Sequence, residues 1–300
     1  MKSIAQPGPL THIYKTAQGC QIRADVYPSA HPNTPSSVIL WLHGGALIWG
    51  SRVAPKAEHL RRYGELGCVV VAIDYRLAPE TKLPGIIEDV RDAYRWVRET
   101  GPALFNIDPE RVAVIGHSAG GYLSLMAGTF SSPPRALVSF YGYGDIVADW
   151  YTRPDPFYCQ RPLISRTEAL NAVGTAPTAE GTGSRISFYF YCRQQGLWPR
   201  EVGGHDPVAE RSFFLPFCPL YNISEDYPPT LLLHGDQDTD VPYEQSATMA
   251  SALAAAGVDS ELITIPGGGH GFDAQMDKPE VSGAFTSVLR FLEQHLACGS

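Results

Sequence analysis

The chain has 300 residues, 44% of them apolar and 18% charged, which is enough to bury the core of one large α/β domain and too apolar for a disordered polymer. With 31 acidic against 23 basic side chains the formal charge is −8, which gives no reason to expect a nucleic-acid partner. No run approaches the length of a membrane span, and residues 1–8 lack the apolar core of a signal peptide, so the expected location is cytoplasmic.

The predicted elements alternate short β-branched runs with longer amphipathic stretches, the pattern of a mostly parallel sheet flanked by helices. Residues 11–15 and 21–27 read as an antiparallel hairpin at the sheet edge. A strand over 37–43 and a helix over 56–66 follow. The run Val69-Val70-Val71-Ala72-Ile73 within strand 68–75 is apolar throughout, as expected for a strand covered on both faces. The next helix, 86–100, sets Ile86, Val90, Ala93, Tyr94 and Val97 on one side. Strand 111–117, helix 119–130 and strand 136–141 continue the alternation. It resumes with strand 230–234, helix 243–256, strand 261–265 and helix 280–296.

Between these halves the rhythm stops. Residues 142–227 are rich in proline, and 16 of the chain's 32 aromatic residues fall in 141–227, so the stretch is not a solvated linker. It reads as an aromatic-rich, lid-like insert over the C-terminal strand ends, where open α/β sheets place their ligand sites, with residues 1–141 and 228–300 forming the core. The six cysteines (Cys20, Cys68, Cys159, Cys192, Cys218 and Cys298) show no CxxC or metal-ligand spacing and read as reduced thiols. A disulfide inside the insert, through Cys159, Cys192 or Cys218, is the alternative.

The strongest chemical signal is Gly116-His117-Ser118-Ala119-Gly120, entered by a β-rich run and left by a helix-compatible one. A serine hydroxyl is a weak nucleophile until it is exposed beside a base, and a sharp strand-to-helix turn provides the exposure. Glycines at 116 and 120 relieve the crowding of such a turn. Upstream, His43-Gly44-Gly45-Ala46 ends a strand with adjacent glycines, so the Gly45 and Ala46 N–H groups, with that of Ala119, read as an oxyanion hole. His43 itself reads as orienting this loop.

Of nine histidines, His12, His31, His59, His205 and His295 lie in edge, surface-like or helical contexts. His117 sits inside the nucleophile turn, and His234 ends a strand. His270 follows Pro266-Gly267-Gly268-Gly269 on the loop after the last strand, which can carry imidazole over the strand ends, so it reads as the general base. The acid is expected between serine and histidine in chain order. His234-Gly235-Asp236-Gln237-Asp238-Thr239-Asp240-Val241-Pro242 supplies it, with Asp238 preferred, Asp240 as runner-up and Asp236 as a turn cap. The same aspartates do not make a calcium loop, because Val241 stands where glycine is needed and Ala247 where a bidentate glutamate is needed. No zinc-protease or phosphate-loop motif occurs, and no metal or organic cofactor is required.

The segments His43-Gly44-Gly45, Asp74-Tyr75-Arg76-Leu77-Ala78-Pro79-Glu80, Glu88-Asp89-Val90 and Gly120-Gly121 resemble the hormone-sensitive-lipase-like branch of α/β-hydrolase-fold serine esterases. Ala46 stands where that branch has a third glycine and His117 where it has an aspartate, while the Gly-Asp-x-Asp-x-x-Val-Pro run is similar to dienelactone hydrolases and prolyl-oligopeptidase-like enzymes. The mixture is also similar to kynurenine-formamidase-like and feruloyl-esterase-like proteins. The resemblance implies an α/β-hydrolase fold and a carboxylesterase-like serine hydrolase acting on a small-molecule ester, and the aromatic insert suggests a small to medium acyl or aryl group. It also implies that 74–80 is a structural segment in which Arg76 and Glu80 pair. Tyr143, Trp150, Phe188, Tyr189 and Phe214 of the insert are the candidate pocket residues. Two alternatives stay open: amide cleavage by a formamidase or exopeptidase, and a non-catalytic small-molecule receptor on the same fold.

Overall fold

The computed structural model describes residues 8–29 and 34–297; residues 1–7, read above for a leader, and His31 and Cys298 lie outside the described residues. Eight strands form one sheet: β1 (Leu10–Ala17), β2 (Cys20–Tyr27), β3 (Ser36–Leu42), β4 (Val69–Ile73), β5 (Ile107–His117), β6 (Ala136–Phe140), β7 (Thr230–Gly235) and β8 (Ser260–Ile265). Their order is β1-β2-β4-β3-β5-β6-β7-β8, antiparallel where β2 meets β1 and β4, and parallel from β4 onward. The hairpin turn puts Gln18 and Gly19 at φ 50° and 77°, the handedness that matches strand twist.

The core helices are α1 (Ala57–Glu65), α2 (Leu83–Phe105) and α3 (Ala119–Ala127), and the insert adds α4 (Asp149–Thr152), α5 (Pro156–Cys159), α6 (Arg166–Asn171), α7 (Ile186–Gln195), α8 (Trp198–Gly203) and α9 (Arg211–Phe214). After the insert come α10 (Glu244–Ala255) and α11 (Pro279–Leu296). Side-chain alternation divides the interior into two layers. Val38, Leu40 and Leu42 of β3 join the core under α2, α3 and α10, whereas Ile39 and Trp41 join the one under α1 and α11. Among the described residues, no helix is long and apolar enough to cross a membrane. The described cysteines, Cys20, Cys68, Cys159, Cys192 and Cys218, are all free thiols.

Two expectations are corrected. Helix α2 runs through Gly101-Pro102 to Phe105, beyond the stop that this dipeptide signals. Its last turn is held from outside, because the Phe105 ring packs edge-on against His12 and Trp96 at 5.1 and 5.7 Å. Nor do Arg76 and Glu80 pair with each other. Arg76 forks onto the fully buried Asp89 of α2 at 2.7 and 2.8 Å, and Glu80 is forked by Arg185 of the insert at 2.9 and 2.6 Å. Each charge thereby gains a two-point partner across the fold, which a neighbour four positions along an irregular segment does not offer.

Candidate active site

Strand β5 delivers Ser118 at the sheet's C-terminal edge, and the turn into α3 is tight. Ser118 adopts φ 56° and ψ −119°, a conformation that side-chain-bearing residues rarely hold unless the surroundings enforce it. Its N–H donates to the Phe140 carbonyl at 2.9 Å, which ties the turn to β6. A Cβ on Gly116 would lie 2.0 Å from the Gly120 carbonyl oxygen, and one on Gly120 would lie 2.1 Å from that of Leu42. These clashes are with backbone, so no rotamer relieves them. Gly120→Ala is expected to destabilise the fold by about 3 kcal/mol or more, read as a lowered unfolding midpoint. A variant as stable as wild type would refute this account of the turn.

The loop after β3 faces this turn. A Cβ on Gly44 would meet the His117 carbonyl at 2.8 Å and the Ser118 Cβ at 3.3 Å. Gly45, Ala46 and Leu47 all take positive φ, at 105°, 54° and 61°. The Gly45 carbonyl accepts from the N–H groups of Ile48 and Trp49, and the indole of Trp198 donates to the Ala46 carbonyl at 2.9 Å. His43 is buried, stacks on Tyr75 at 4.1 Å and places Nδ1 2.7 Å from the Gly44 carbonyl. Burial lowers its pKa to about 4, so it is neutral and Nδ1–H is the donor in that contact. Ala119 opens α3, so its N–H has no carbonyl one turn earlier within the helix.

The loops after β7 and β8 bring Asp238 and His270 to the same edge. His270 Nε2 lies 3.0 Å from Ser118 Oγ, and its Nδ1 lies 2.8 Å from Asp238 Oδ2. The Asp238 carboxylate is fully buried, and its Oδ1 accepts from the N–H groups of Asp240 and Val241 at 2.8 and 3.0 Å. Burial alone would raise its pKa, but donation from His234 and His270 and the charge of His270 hold it well below the carboxylate range. An ionised Asp238 fixes the tautomer with a proton on Nδ1, leaving Nε2 to accept from Ser118. Burial also opposes protonation of His270, yet the charges of Asp240, Asp238 and Asp273 outweigh it and raise its pKa above the ordinary value. Asp236 Oδ1 accepts from the Gly267 N–H at 2.7 Å, bracing the histidine loop. His234 Nε2 lies 3.0 Å from the Val241 carbonyl and 3.4 Å from Asp238 Oδ2, and its Nδ1 lies 2.7 Å from Ser246 Oγ.

Beside Ser118 lies a cavity of about 290 Å³. Its lining includes Gly44, Gly45, Ala46, Asp240 and His270, with an aromatic wall of Trp41, Trp49 and Tyr141. Tyr143, Trp150, Phe188, Tyr189 and Phe214, the candidate pocket residues of the insert, do not line it. Phe188 and Phe214 are fully buried, Tyr143 packs among Tyr122, Tyr151 and Trp150, and Tyr189 lies behind Trp49 at 5.2 Å. The physical reason is that these rings serve the core: Tyr143, Phe188, Tyr189 and Phe214 join the same buried cluster as Val38, Leu40 and Leu42 of β3, and Trp150 packs against it.

The far side of the cavity holds residues that the sequence did not bring forward. Asp273 is buried three positions past His270, and it is gripped by the Lys56 ammonium and by the Tyr141 hydroxyl at 2.5 Å. His117 Nε2 lies 3.4 Å from the same carboxylate and His59 Nδ1 4.0 Å from it. Burial keeps the His59 imidazole neutral, with a pKa lowered to about 3. Ligand atoms of His59, His117 and Asp273 lie within 4.8 Å of one another, but Lys56 already supplies the positive charge there. The cluster is therefore an ion-paired anchor joining the His270 loop to β5, β6 and the segment before α1. Asp273→Ala is expected to destabilise the protein by about 1–3 kcal/mol, chiefly because it leaves the buried Tyr141 hydroxyl without its acceptor, Lys56 being partly exposed to water. Urea unfolding would measure it, and a loss under about 1 kcal/mol would remove the anchoring role.

Polar links join residues 142–227 to the loops at this edge. Gly50 and Gly181 exchange backbone hydrogen bonds at 2.9 and 3.0 Å, and Arg185 donates to the Ile48 carbonyl at 2.6 Å. Arg193 of α7 reaches Asp240 on the loop that carries Asp238, at 2.9 Å.

Comparison with known proteins gives two family matches along the chain. A family described as alpha/beta hydrolase fold matches residues 39–170, and the prolyl oligopeptidase family matches residues 189–298. Among solved structures, an alpha/beta hydrolase superfamily protein from Enterococcus faecalis is 25% identical with a TM-score of 0.73, covering 91% of this chain and 96% of that one. A thermophilic esterase from Thermogutta terrifontis is 22% identical with a TM-score of 0.68, covering 97% of this chain and 93% of that one. A non-reducing polyketide synthase of Emericella nidulans is 30% identical over 88% of this chain, and one of Aspergillus calidoustus 28% identical over 95%. The chain spans only 13% and 14% of the length of these two relatives.

Proposed function

This chain belongs to the α/β-hydrolases, and from that premise we propose that it cleaves carboxylic esters through an acyl-enzyme formed on Ser118. The observation that carries this reading is the unbroken line Ser118 Oγ–His270–Asp238, with contacts of 3.0 and 2.8 Å, at the mouth of a cavity. His270 Nε2 takes the Ser118 proton as Oγ attacks the ester carbonyl, and Asp238 stabilises the imidazolium that forms. The N–H groups of Gly45, Ala46 and Ala119 receive the charge that develops on the carbonyl oxygen. His270 then protonates the leaving alcohol and activates a water that releases the acid. The His270 side chain is a quarter exposed, so water reaches it. Residues 142–227 act as a cap in this reading: their hydrogen bonds fix the oxyanion loop, and their buried aromatic rings join the core cluster that holds Val38, Leu40 and Leu42.

Aromatic walls at Trp41, Trp49 and Tyr141 suit an aryl or short acyl group in a cavity of about 290 Å³. The prolyl oligopeptidase match covers the segment with Asp238 and His270, a proton relay that ester and amide cleavage share, so it does not favour amides. A second reading follows from the polyketide synthase relatives, which this chain matches as a segment. In that reading the same serine accepts a polyketide acyl group presented as a thioester.

A substrate panel tests these readings. Short p-nitrophenyl and aryl esters, N-acetylcysteamine thioesters, N-formyl aromatics and aminoacyl amides are compared by kcat/KM on one preparation, whose active serine is counted with a fluorophosphonate. Preference for oxygen esters supports the proposal, and preference for thioesters supports the second reading. Turnover of amides alone overturns both.

A further inference from the structure

Asp238 and Asp240 stand on opposite edges of the His270 ring. Asp238 Oδ2 meets Nδ1 at 2.8 Å, while Asp240 Oδ2 lies 3.5 Å from Nε2, the nitrogen that faces Ser118 Oγ at 3.0 Å. We propose that Asp240 is a positioning residue for the base, steadying the protonated His270 ring from its Nε2 side, and that Arg193 sets how much of that carboxylate's charge the ring feels. This rests on the reading of Ser118 and His270 as nucleophile and base.

Asp240 is held for such a task. Its Oδ1 accepts from Tyr158 at 2.8 Å, from Arg193 Nη1 at 2.9 Å and from the Tyr189 hydroxyl, leaving Oδ2 turned toward His270. Arg193 Nη1 also donates to the Asp240 carbonyl at 2.9 Å, and its other arm binds Asp155. The Arg193 side chain is wholly buried, with its guanidinium 4.8, 5.1 and 5.3 Å from the rings of Tyr158, Tyr151 and Trp150. A guanidinium so enclosed stays put, and so does the carboxylate it grips.

The effect of this arrangement depends on the protonation of the ring. Neutral His270 presents a lone pair at Nε2, which a carboxylate at 3.5 Å does not attract. Once the ring has taken the Ser118 proton, the same contact becomes an attraction between opposite charges. At that length it is not a strong hydrogen bond, so the proton remains directed at the serine and leaving-group oxygens. Asp240 thus favours the state that exists during reaction over the resting one. The other groups around the ring are the Asp238 carboxylate backed by His234, the Asp273 carboxylate backed by Lys56 and His117, and the edge of Tyr141.

The test is the pH dependence of Ser118 labelling by a fluorophosphonate, which needs no knowledge of the substrate. The labelling rate falls on acidification as His270 protonates. In Asp240→Asn that acid limb is expected to move down by about one pH unit, because an opposite charge close to the ring is gone. The double variant Asp240→Asn/Arg193→Gln removes both partners of the buried pair and decides the matter if the single variant does not fold; its limb is expected to move down by less. A folded variant whose acid limb stays at the wild-type pH overturns the proposal. Wild-type protein that never labels overturns the reading of Ser118 and this inference with it, whereas labelling with an unmoved limb leaves that reading standing.

Discussion

Replacing Ser118 by alanine is expected to lower kcat by about a million-fold while leaving the fold intact. The Ser118 hydroxyl has His270 Nε2 as its hydrogen-bond partner at 3.0 Å, and its removal opens no core cavity. The turn keeps φ 56° in the variant, so the backbone strain is the same before and after. The unfolding midpoint should therefore stay at the wild-type value. His270→Ala should lose as much activity as Ser118→Ala. The double variant should lose no more than either, because nucleophile and base act as one unit. Residual turnover above water is expected from the oxyanion donors alone. Additive losses would mean that Ser118 and His270 do not share the proton, and full activity in Ser118→Ala would remove the serine mechanism outright.

The parts of this site that were legible in the sequence are those dictated by backbone. Gly116 and Gly120 are required by carbonyls about 2 Å from where a Cβ would stand, and that requirement fixes a motif whatever surrounds it. Strands β3, β4, β6 and β7 and the 112–117 part of β5 are legible because they are covered on both faces, so their composition marks them, whereas the partly exposed start of β5 at 107–111 is not. His270 was singled out by its place after the last strand, and the structure brings it beside Ser118. The pairings were not legible. Glu80 and Arg185 are 105 positions apart, and Lys56 and Asp273 are 217 apart. A charge in a sequence does not name its partner: the resemblance implies Arg76 for Glu80, and the fold pairs Glu80 with Arg185 instead. The aromatic content of 142–227 signalled burial without direction. Phe188 and Phe214 are buried in the core cluster, whereas the rings that line the cavity, Trp41, Trp49 and Tyr141, come from loops and strand ends. A histidine on a helix, such as His59, carries no mark in the sequence of the buried cluster it joins.

The second large effect separates the two carboxylates that flank His270. Asp238→Asn is expected to lower kcat by about 10⁴-fold, as loss of the acid does when geometry is kept. An asparagine there can still accept from the Asp240 and Val241 N–H groups through its oxygen, so the loop is retained. Its amide nitrogen then faces His270 Nδ1 and donates to it, which drives the ring proton to Nε2. That tautomer cannot accept from Ser118. Asp240→Asn, which leaves the Asp238 contact untouched, should stay within about tenfold of wild type at its pH optimum, since a single flanking charge is worth about one pKa unit to the ring. The opposite ranking would transfer the acid role to Asp240. A pH series provides an independent check. The Asp238 carboxyl is held below its unfolded value, so its stabilising contribution is present above the ordinary carboxylate pKa and is lost as pH falls toward the folded value. Wild type should therefore lose stability on acidification below about pH 4, and Asp238→Asn should lose less over the same range. Parallel curves for the two proteins would show that Asp238 gains nothing from His270 and His234 in the folded state, which would undo the case for it as the acid.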